Sequence, residues 1–308
     1  MRNPVNHLHS VVTLVILAAL VSAEEPPVSK GHLVLIGGGE KPAVAMQKFV
    51  ELAGGPNAAI LIVPTASEQP DTGTYYEQIF EHDYECTNVT PLALSGREDA
   101  QRASIVKLIN GAGGIFFAGG DQSRVTAALL DTPAFEAMGE AFARGAVLGG
   151  TSAGAACMSP LMITGEGNFN VLAAATVDLQ PGLGFFPGAI LDQHFIARQR
   201  ENRLIAVVLE HPDLLGVGID EATAVWLRPD HTFQVLGSGW VAVLDAIGAS
   251  VRRQPVPDGE AHLGVLGLRV DILLPGDVYD LGSRSIVGPG GRVPQPGAPA
   301  EAGRMRNE

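Results

Sequence analysis

A serine flanked by small residues is the first candidate for chemistry in this 308-residue sequence. Ser152 lies in the segment Gly-Thr-Ser-Ala-Gly at residues 150–154, between the short apolar run 146–148 and a segment that resembles a helix start. A strand, Gly-x-Ser-x-Gly and a helix form the setting of a nucleophile elbow, which holds the hydroxyl on a sharp turn. Side chains on the flanking residues would collide with the strand or the helix, so glycine is favoured there. The pattern indicates a nucleophilic serine, and a tight βα turn without chemistry is the alternative.

A histidine that could activate this serine follows a second apolar run. His194 lies in Leu-Asp-Gln-His-Phe at residues 191–195, directly after a short predicted strand. Ligands of parallel α/β sheets bind at the carboxyl ends of the strands, and clustered polar residues at such an end are hard to explain by packing. We therefore expect His194 to be the general base for Ser152. A core histidine satisfied by its neighbours is the alternative.

Three arginines follow within six residues: Arg198, Arg200 and Arg203. The planar guanidinium fork binds carboxylates through two parallel hydrogen bonds. In an otherwise acidic chain the cluster is either a solvated helix start or a clamp for substrate carboxylates.

The elements that must position these residues alternate between strand and helix in the first half of the chain. Apolar runs predict strands over residues 33–36, 59–63, 87–92, 115–117 and 146–148. Helical spacing predicts helices over residues 44–52, 75–82, 103–110, 125–130 and 135–144. Strands that are apolar throughout and alternate with helices are buried on both faces, which is typical of a doubly wound, mostly parallel α/β sheet.

The second half predicts further strands, with a helix over residues 203–210. Strands at residues 190–191 and 216–219 precede three segments that form antiparallel strands, at residues 224–227, 232–236 and 240–244. We therefore expect one α/β domain at residues 31–285, whose sheet is extended by a C-terminal antiparallel β segment.

Both ends of the chain differ from this domain. Residues 1–23 have Arg2, an apolar run and the small-residue site Val-Ser-Ala, and so predict a signal peptide and a secreted or periplasmic protein. The apolar run is shorter than the about 20 residues that a spanning helix needs, so no stable membrane association is expected after cleavage. An uncleaved anchor is the alternative. Residues 286–308 are rich in glycine and proline and predict a disordered tail.

Charge and cysteine content indicate which partners and which covalent bonds can be expected of this chain. The formal net charge of −13 argues against a nucleic-acid partner, which would need a basic surface. The two cysteines, Cys86 and Cys157, are expected to be buried free thiols, with a disulfide between them as the alternative.

The glycines at residues 37–39 lack the spacing of a dinucleotide-binding fingerprint. No metal or organic cofactor is expected, and the oligomeric state stays open, a homodimer included.

Taken together, these motifs resemble the cyanophycinase family of serine peptidases, which also contains aspartyl dipeptidase. The likeness extends from about residue 31 to residue 284, and its motifs lie at residues 117–122, 149–155, 192–203, 218–221 and 274–277. The resemblance implies a fold similar to that of class I glutamine amidotransferases. It also implies hydrolysis of cyanophycin, a polyaspartate whose side chains are amide-linked to arginine, with release of β-aspartyl-arginine dipeptides.

The resemblance implies a role for each matched residue. Ser152 is the nucleophile, His194 is the base, and the N–H groups of Gly120 and Ala153 form the oxyanion hole. A further group would shape the substrate pocket: Gln122, Asp192, Gln193, Arg198, Arg200 and Arg203.

The family also carries an acid that orients the histidine, between the serine and the histidine in the chain. We expect Glu166 in this role, because it lies in a loop after a short strand. The other candidates are Asn168, Asn170, Asp178 and Glu221, of which Glu221 is expected instead to organise the pocket.

Two other functions fit parts of the same pattern. An aspartyl or isoaspartyl dipeptidase would share the serine and the histidine but has less need of three arginines. A catalytically weak binding protein on the same fold would explain the lack of a clear acid.

Overall fold

The computed structural model describes residues 29–165, 167, 170–257 and 259–288. The predicted signal peptide at residues 1–23 lies outside these residues, as does the predicted tail from residue 289 onward. Ile286, the first residue of the tail that the sequence predicts as disordered, instead belongs to a short strand. No helix among the described residues has the length and apolar character needed to cross a membrane.

Strands and helices alternate through the first half of the described chain and strands dominate the second half. The strands are β1 His32–Ile36, β2 Ile60–Val63, β3 Val89–Pro91, β4 Gly114–Phe117, β5 Val147–Thr151, β6 Leu161–Ile163, β7 Leu179–Pro181, β8 Ala189–Gln193, β9 Leu215–Ile219, β10 Thr223–Leu227, β11 Thr232–Gly237, β12 Val241–Asp245, β13 Ser250–Val256, β14 Gly259–Leu266, β15 Arg269–Leu273, β16 Val278–Asp280 and β17 Ser285–Ile286. The helices are α1 Ala43–Ala53, α2 Thr72–Asp83, α3 Ala103–Asn110, α4 Gln122–Leu129, α5 Pro133–Arg144, α6 Ala153–Ala156 and α7 Glu201–Glu210, with a 3-10 turn at Asp99–Gln101.

The central sheet of the described chain has nine strands in the order β17-β16-β11-β10-β1-β5-β4-β2-β3. The five strands from β1 to β3 in this order are parallel, and the four on the other side of β1 are antiparallel. A parallel core with an antiparallel extension confirms the predicted fold class.

Both faces of the parallel strands are buried. Leu33 and Leu35 of β1 belong to the core beneath α3 and α5, whereas Val34 and Ile36 belong to the core beneath α1 and α2. Successive side chains of a strand point to opposite faces, so the apolar run of β1 requires cover on both sides. This is the doubly wound arrangement that the apolar strands predict.

Local signals define the ends of α5, the helix that precedes the elbow strand. The Thr132 side chain accepts a hydrogen bond from Phe135 N at 3.3 Å, and Pro133 occupies the first turn, where its missing N–H is not needed. Gly145 ends the helix in a left-handed conformation with φ 116°. The chain then enters β5, the strand that leads directly to Ser152.

A second sheet of four strands, in the order β15-β12-β9-β8, differs from the single sheet that the sequence suggests. Strands β8 and β9 are parallel neighbours, and β12 pairs with β9 and not with β11. The inner core of this sheet lies against α7. Gly216 makes that contact close, because a Cβ there would lie 2.7 Å from a methyl carbon of Val208 on the helix. The strand that leads to His194 therefore belongs to the second sheet.

Candidate active site

Ser152 stands on a strained turn between β5 and α6. Its φ of 54° and ψ of −116° lie outside the regions that L-residues usually occupy. A Cβ added to Gly150 or to Gly154 would lie 2.2 Å from a backbone oxygen, that of Gly154 or of Phe117 respectively. Only glycine fits at these two positions, so the Gly-x-Ser-x-Gly spacing is a steric requirement of the elbow.

The His194 imidazole reaches this serine from the second sheet. Its Nε2 lies 2.9 Å from Ser152 Oγ, within hydrogen-bond distance. The residue follows β8 in a left-handed conformation with φ 49°, and its N–H donates to Gly37 O at 2.7 Å. The two residues that the sequence predicts as nucleophile and base are thus in contact, although 42 positions separate them in the chain.

The other imidazole nitrogen contacts Glu221. His194 Nδ1 lies 2.5 Å from Glu221 Oε1, and the glutamate side chain is partly exposed. Strands β8 and β9 run in parallel with Gln193 opposite Ile219, so the residues that follow them emerge side by side. Glu221 is therefore a carboxylate in contact with His194, a position for which the sequence favours Glu166. Glu166 itself lies outside the described residues, as does Asn168.

The sequence signal that relates Glu221 to His194 is that each residue follows a predicted strand, at residues 216–219 and 190–191 respectively. In the structure, His194 follows β8 by one residue and Glu221 follows β9 by two. The sequence favours an acid between the serine and the histidine, and it keeps Glu221 as an alternative that is expected instead to organise the pocket.

The glycines after β1 form the wall against which the base and the acid rest. A Cβ at Gly38 would lie 2.2 Å from the imidazole carbon Cε1 of His194, and one at Gly39 would lie 2.9 Å from Glu221 Oε2. Both glycines have positive φ angles, 125° and 64°. Gly38 O also accepts a hydrogen bond from Ala222 N at 3.1 Å. The backbone of these glycines packs against His194 and Glu221 and so limits where the two side chains can lie.

Burial lowers the pKa of His194 below its usual value of 6.5. The hydrogen bond that His194 Nδ1 donates to Glu221 and the negative charge of that carboxylate oppose this shift, and the positive charges of Arg198 and Arg200 add to it. The ring is therefore neutral at pH 7, and a neutral imidazole is the form that accepts a proton from a hydroxyl.

Backbone from the end of β4 lies beside the serine hydroxyl. The position of a Cβ on Gly119 would be 3.9 Å from Ser152 Oγ, and Gly120 follows with φ 142°. Ala153, the residue after the serine, begins α6. The two residues expected to form the oxyanion hole, Gly120 and Ala153, thus lie in segments that flank Ser152.

The predicted pocket residues next to His194 form buried ion pairs. Asp192 accepts hydrogen bonds from Arg203 Nε at 2.8 Å and from Arg203 Nη2 at 2.5 Å. Arg203 Nη1 also donates to Gly165 O at 3.0 Å, which ties α7 to the loop after β6. The Asp192 and Arg203 side chains are 0% and 4% exposed, so this guanidinium is engaged by the protein itself.

The other two arginines of the cluster differ from each other. Arg200 is buried and donates through Nη1 to the backbone and side-chain oxygens of Gln193. Arg198 is exposed, and its backbone N–H donates to His194 O at 3.0 Å. Of the three arginines, Arg198 is the one whose guanidinium is exposed to solvent, and it lies near enough to His194 to lower the pKa of that ring.

The structure also shows the surroundings of Gln122 and of the two cysteines. Gln122 begins α4, and its side chain donates a hydrogen bond to Ile163 O at 2.6 Å, which links the start of α4 to β6. Cys86 and Cys157 are free and buried, as predicted, and burial raises the pKa of Cys157 to about 12. Among the described residues, no group of three or more His, Cys, Asp or Glu side chains is placed to hold a metal ion.

A serine on a strained elbow, a histidine that contacts it and a carboxylate that contacts the histidine define a class of protein, the serine hydrolases of α/β fold. Residues 33–235 match peptidase family S51, and the chain belongs to that family.

Known relatives agree with this assignment. The chain is 37% identical over 262 residues to cyanophycinase of Synechococcus elongatus, with 83% of this chain and 81% of the relative covered. It is 36% identical to cyanophycinase of a Nostoc species, with 85% and 89% covered. Among solved structures it is similar to a peptidase from an acI-B1 actinobacterium, with a TM-score of 0.61, 25% identity, and 82% of this chain and 98% of that chain covered. The chain is accordingly a serine-type peptidase similar to cyanophycinases.

Proposed function

We propose that this peptidase hydrolyses cyanophycin and releases β-aspartyl-arginine dipeptides. The observation that carries the proposal is the continuous contact of Ser152, His194 and Glu221, in a chain that is 37% identical to a cyanophycinase over most of its length. The polymer would be cut at its aspartate backbone, whose amide bonds are within the chemistry of a serine nucleophile.

The first half of the reaction forms an acyl-enzyme. Ser152 Oγ attacks the scissile carbonyl carbon while His194 Nε2 accepts the hydroxyl proton. Glu221 holds the Nδ1–H and stabilises the imidazolium that forms. The backbone N–H groups of Gly120 and Ala153 would donate to the oxyanion of the tetrahedral intermediate. When the intermediate collapses, the C–N bond breaks and His194 gives its proton to the leaving amine.

The second half repeats these steps with water. His194 takes a proton from a water molecule, whose oxygen attacks the ester carbonyl of the acyl-enzyme. Collapse of the second tetrahedral intermediate breaks the bond to Ser152 Oγ, which regains its proton from His194. The product leaves with a new carboxylate, so a cation near the site favours its formation and binding. Arg198 is exposed beside His194 and suits this contact.

The buried pair Asp192–Arg203 would support the site through the chain. Arg203 holds Asp192, which lies two residues before His194, and also the loop at Gly165. Breaking a buried ion pair leaves an uncompensated charge, which destabilises by about 3–5 kcal/mol. These two residues therefore position the histidine, whether or not the substrate also touches them.

We further propose that the protein acts outside the cytoplasm. The segment at residues 1–23 has the charge, the apolar run and the small residues of a cleaved signal. Expression in a bacterial host followed by N-terminal sequencing of the exported protein tests this, and the expected mature chain starts at residue 24. Retention of the intact chain in the cytoplasm would contradict it.

The catalytic proposal is tested with purified protein and cyanophycin. Wild-type protein is expected to release β-aspartyl-arginine, identified by mass spectrometry. The Ser152→Ala variant should lose about 10⁶-fold in kcat. Short aspartyl and isoaspartyl peptides serve as competing substrates, and cleavage of these peptides with an intact polymer would favour the dipeptidase and overturn the proposal.

A further inference from the structure

A cleft that contains no residue of the triad opens near the carboxyl ends of the parallel strands. It has a volume of about 230 Å³ and lies between the loop after β2, the loop after β3 and the first turn of α4. Its lining residues include Thr65, Glu68, Leu94 and Arg124. All three segments follow or adjoin the carboxyl ends of parallel strands, the edge at which α/β sheets bind their ligands.

The cleft and the nucleophile share one segment of backbone, residues 119–121. Ala66 O, in the loop that lines the cleft, accepts a hydrogen bond from Asp121 N at 2.9 Å. A Cβ on Gly120 would lie 2.1 Å from that same oxygen, so the two loops are in direct contact. Gly119, on the other side, lies against Ser152. Residues 119–121 therefore link the surroundings of Ser152 to the loop that lines the cleft.

Two opposite charges face each other at the cleft. Arg124 Nη1 lies 3.4 Å from Glu68 Oε1, and their side chains are 40% and 85% exposed. An exposed pair at this distance is weak in water, so either partner is available to a ligand that brings a better-placed charge. The floor beneath them is fixed, because Thr65 Oγ1 donates to Leu94 O at 2.5 Å and both residues are buried.

We propose that this cleft binds the arginyl side chain of a polymer unit beyond the two that flank the scissile bond. The inference rests on the proposed function. Each unit carries an arginine that is amide-linked through its α-amino group, so it presents a free α-carboxylate and a guanidinium at the two ends of one side chain. Arg124 binds the carboxylate and Glu68 binds the guanidinium, which replaces one exposed ion pair by two. Residues outside the triad thus select a chain of repeated units over a short peptide.

Kinetics with substrates of different length test this assignment. The substrates are synthetic β-aspartyl-arginine oligomers of two and six units, and the variants are Glu68→Gln and Arg124→Gln. Each variant is expected to raise KM for the six-unit oligomer about three- to tenfold. The KM for the two-unit oligomer should stay the same in both variants, and kcat should stay the same for both oligomers. Glu140→Gln is the matched control, because Glu140 forms a similar exposed pair with Arg144 at 3.7 Å on α5.

A substrate variant identifies which charge each residue binds. When the α-carboxylates of the six-unit oligomer are converted to carboxamides, wild-type enzyme should show the same rise in KM as Arg124→Gln shows with the natural oligomer. The carboxamide should cause no further rise in Arg124→Gln, but a full rise in Glu68→Gln. An equal effect on both oligomer lengths, or no effect, would overturn the assignment while leaving cyanophycin hydrolysis intact. Wild-type enzyme that cleaves neither oligomer nor polymer would reject the proposed function and the cleft's role with it.

Discussion

The imidazole of His194 lies between a hydroxyl and a carboxylate, and each contact has a separate consequence. The contact with Ser152 allows proton transfer, and the contact with Glu221 fixes which ring nitrogen carries the proton. Because Nδ1 faces a carboxylate, Nε2 is left as the acceptor toward the serine. We therefore expect Glu221 to orient the base.

Removal of the Glu221 charge should reduce turnover without unfolding the protein. We expect Glu221→Gln to lower kcat for cyanophycin by about 10²–10⁴-fold, because the amide does not stabilise the imidazolium. Glu221→Asp keeps the charge on a shorter side chain and should retain more activity than the amide. Steady-state kinetics measure both variants, and circular dichroism checks that both are folded. Wild-type activity in Glu221→Gln would show that another group orients the ring.

The pH profile should report the lowered pKa of His194. The neutral ring is the base, so kcat/KM should rise as the pH increases through that pKa and reach its plateau, with the acid limb centred below 6.5. Both the hydrogen bond and the charge of Glu221 raise this pKa, so Glu221→Gln should move the limb to still lower pH. A limb above 6.5 in the wild type, or an upward movement in the variant, would contradict the arrangement.

Among the secondary-structure elements, the turn from β5 into α6 carries the strictest steric demand. The sequence predicts this turn well, since the need for glycine on both sides of the serine comes from local backbone contacts. The approach of Glu221 to His194 depends instead on the pairing of β8 with β9, which no local pattern encodes. The sequence favours Glu166 for its place between the serine and the histidine, in a loop after a short strand.

An alanine at the elbow should destabilise the protein, unlike an alanine in an open helix. The Cβ of Gly154→Ala would lie 2.2 Å from Phe117 O, a backbone atom, and the forced shift should lower the free energy of unfolding by about 3 kcal/mol. Gly139 lies within α5 with open space around its Cβ position, so Gly139→Ala should raise that free energy by about 0.5–1 kcal/mol. Urea denaturation measures both. Equal stability of the two variants would contradict the close contact at the elbow.

On the scale of the whole molecule, the site is assembled from two sheets. Ser152 follows β5 of the central sheet, whereas His194 and Glu221 follow β8 and β9 of the second sheet. The sequence shows both groups of strands but not their division into two sheets, because short apolar runs do not specify their partners. The sequence also does not show that Arg200 and Arg203 are buried, because arginines next to a strand end are equally compatible with an exposed clamp.

Gly38 lies where the two sheets meet, and a side chain there should separate stability from activity. A Cβ at Gly38 would lie 2.2 Å from the His194 ring, whereas one at Gly55 meets nothing within 4 Å. Both glycines have positive φ angles, so Gly38→Ala and Gly55→Ala share the backbone strain, about 1 kcal/mol. We expect only Gly38→Ala to lower kcat, by at least about 10²-fold, because it displaces the base. Comparable kcat losses in both variants would argue against the contact between Gly38 and the ring.

The most direct test of the account is covalent labelling of the nucleophile. Mass spectrometry after treatment with a fluorophosphonate should find one adduct, on the peptide that contains Ser152. The His194→Ala variant should form it at least about 10²-fold more slowly, because the hydroxyl then lacks its base. An adduct on a different residue, or equal labelling rates with and without His194, would contradict an activated serine at position 152.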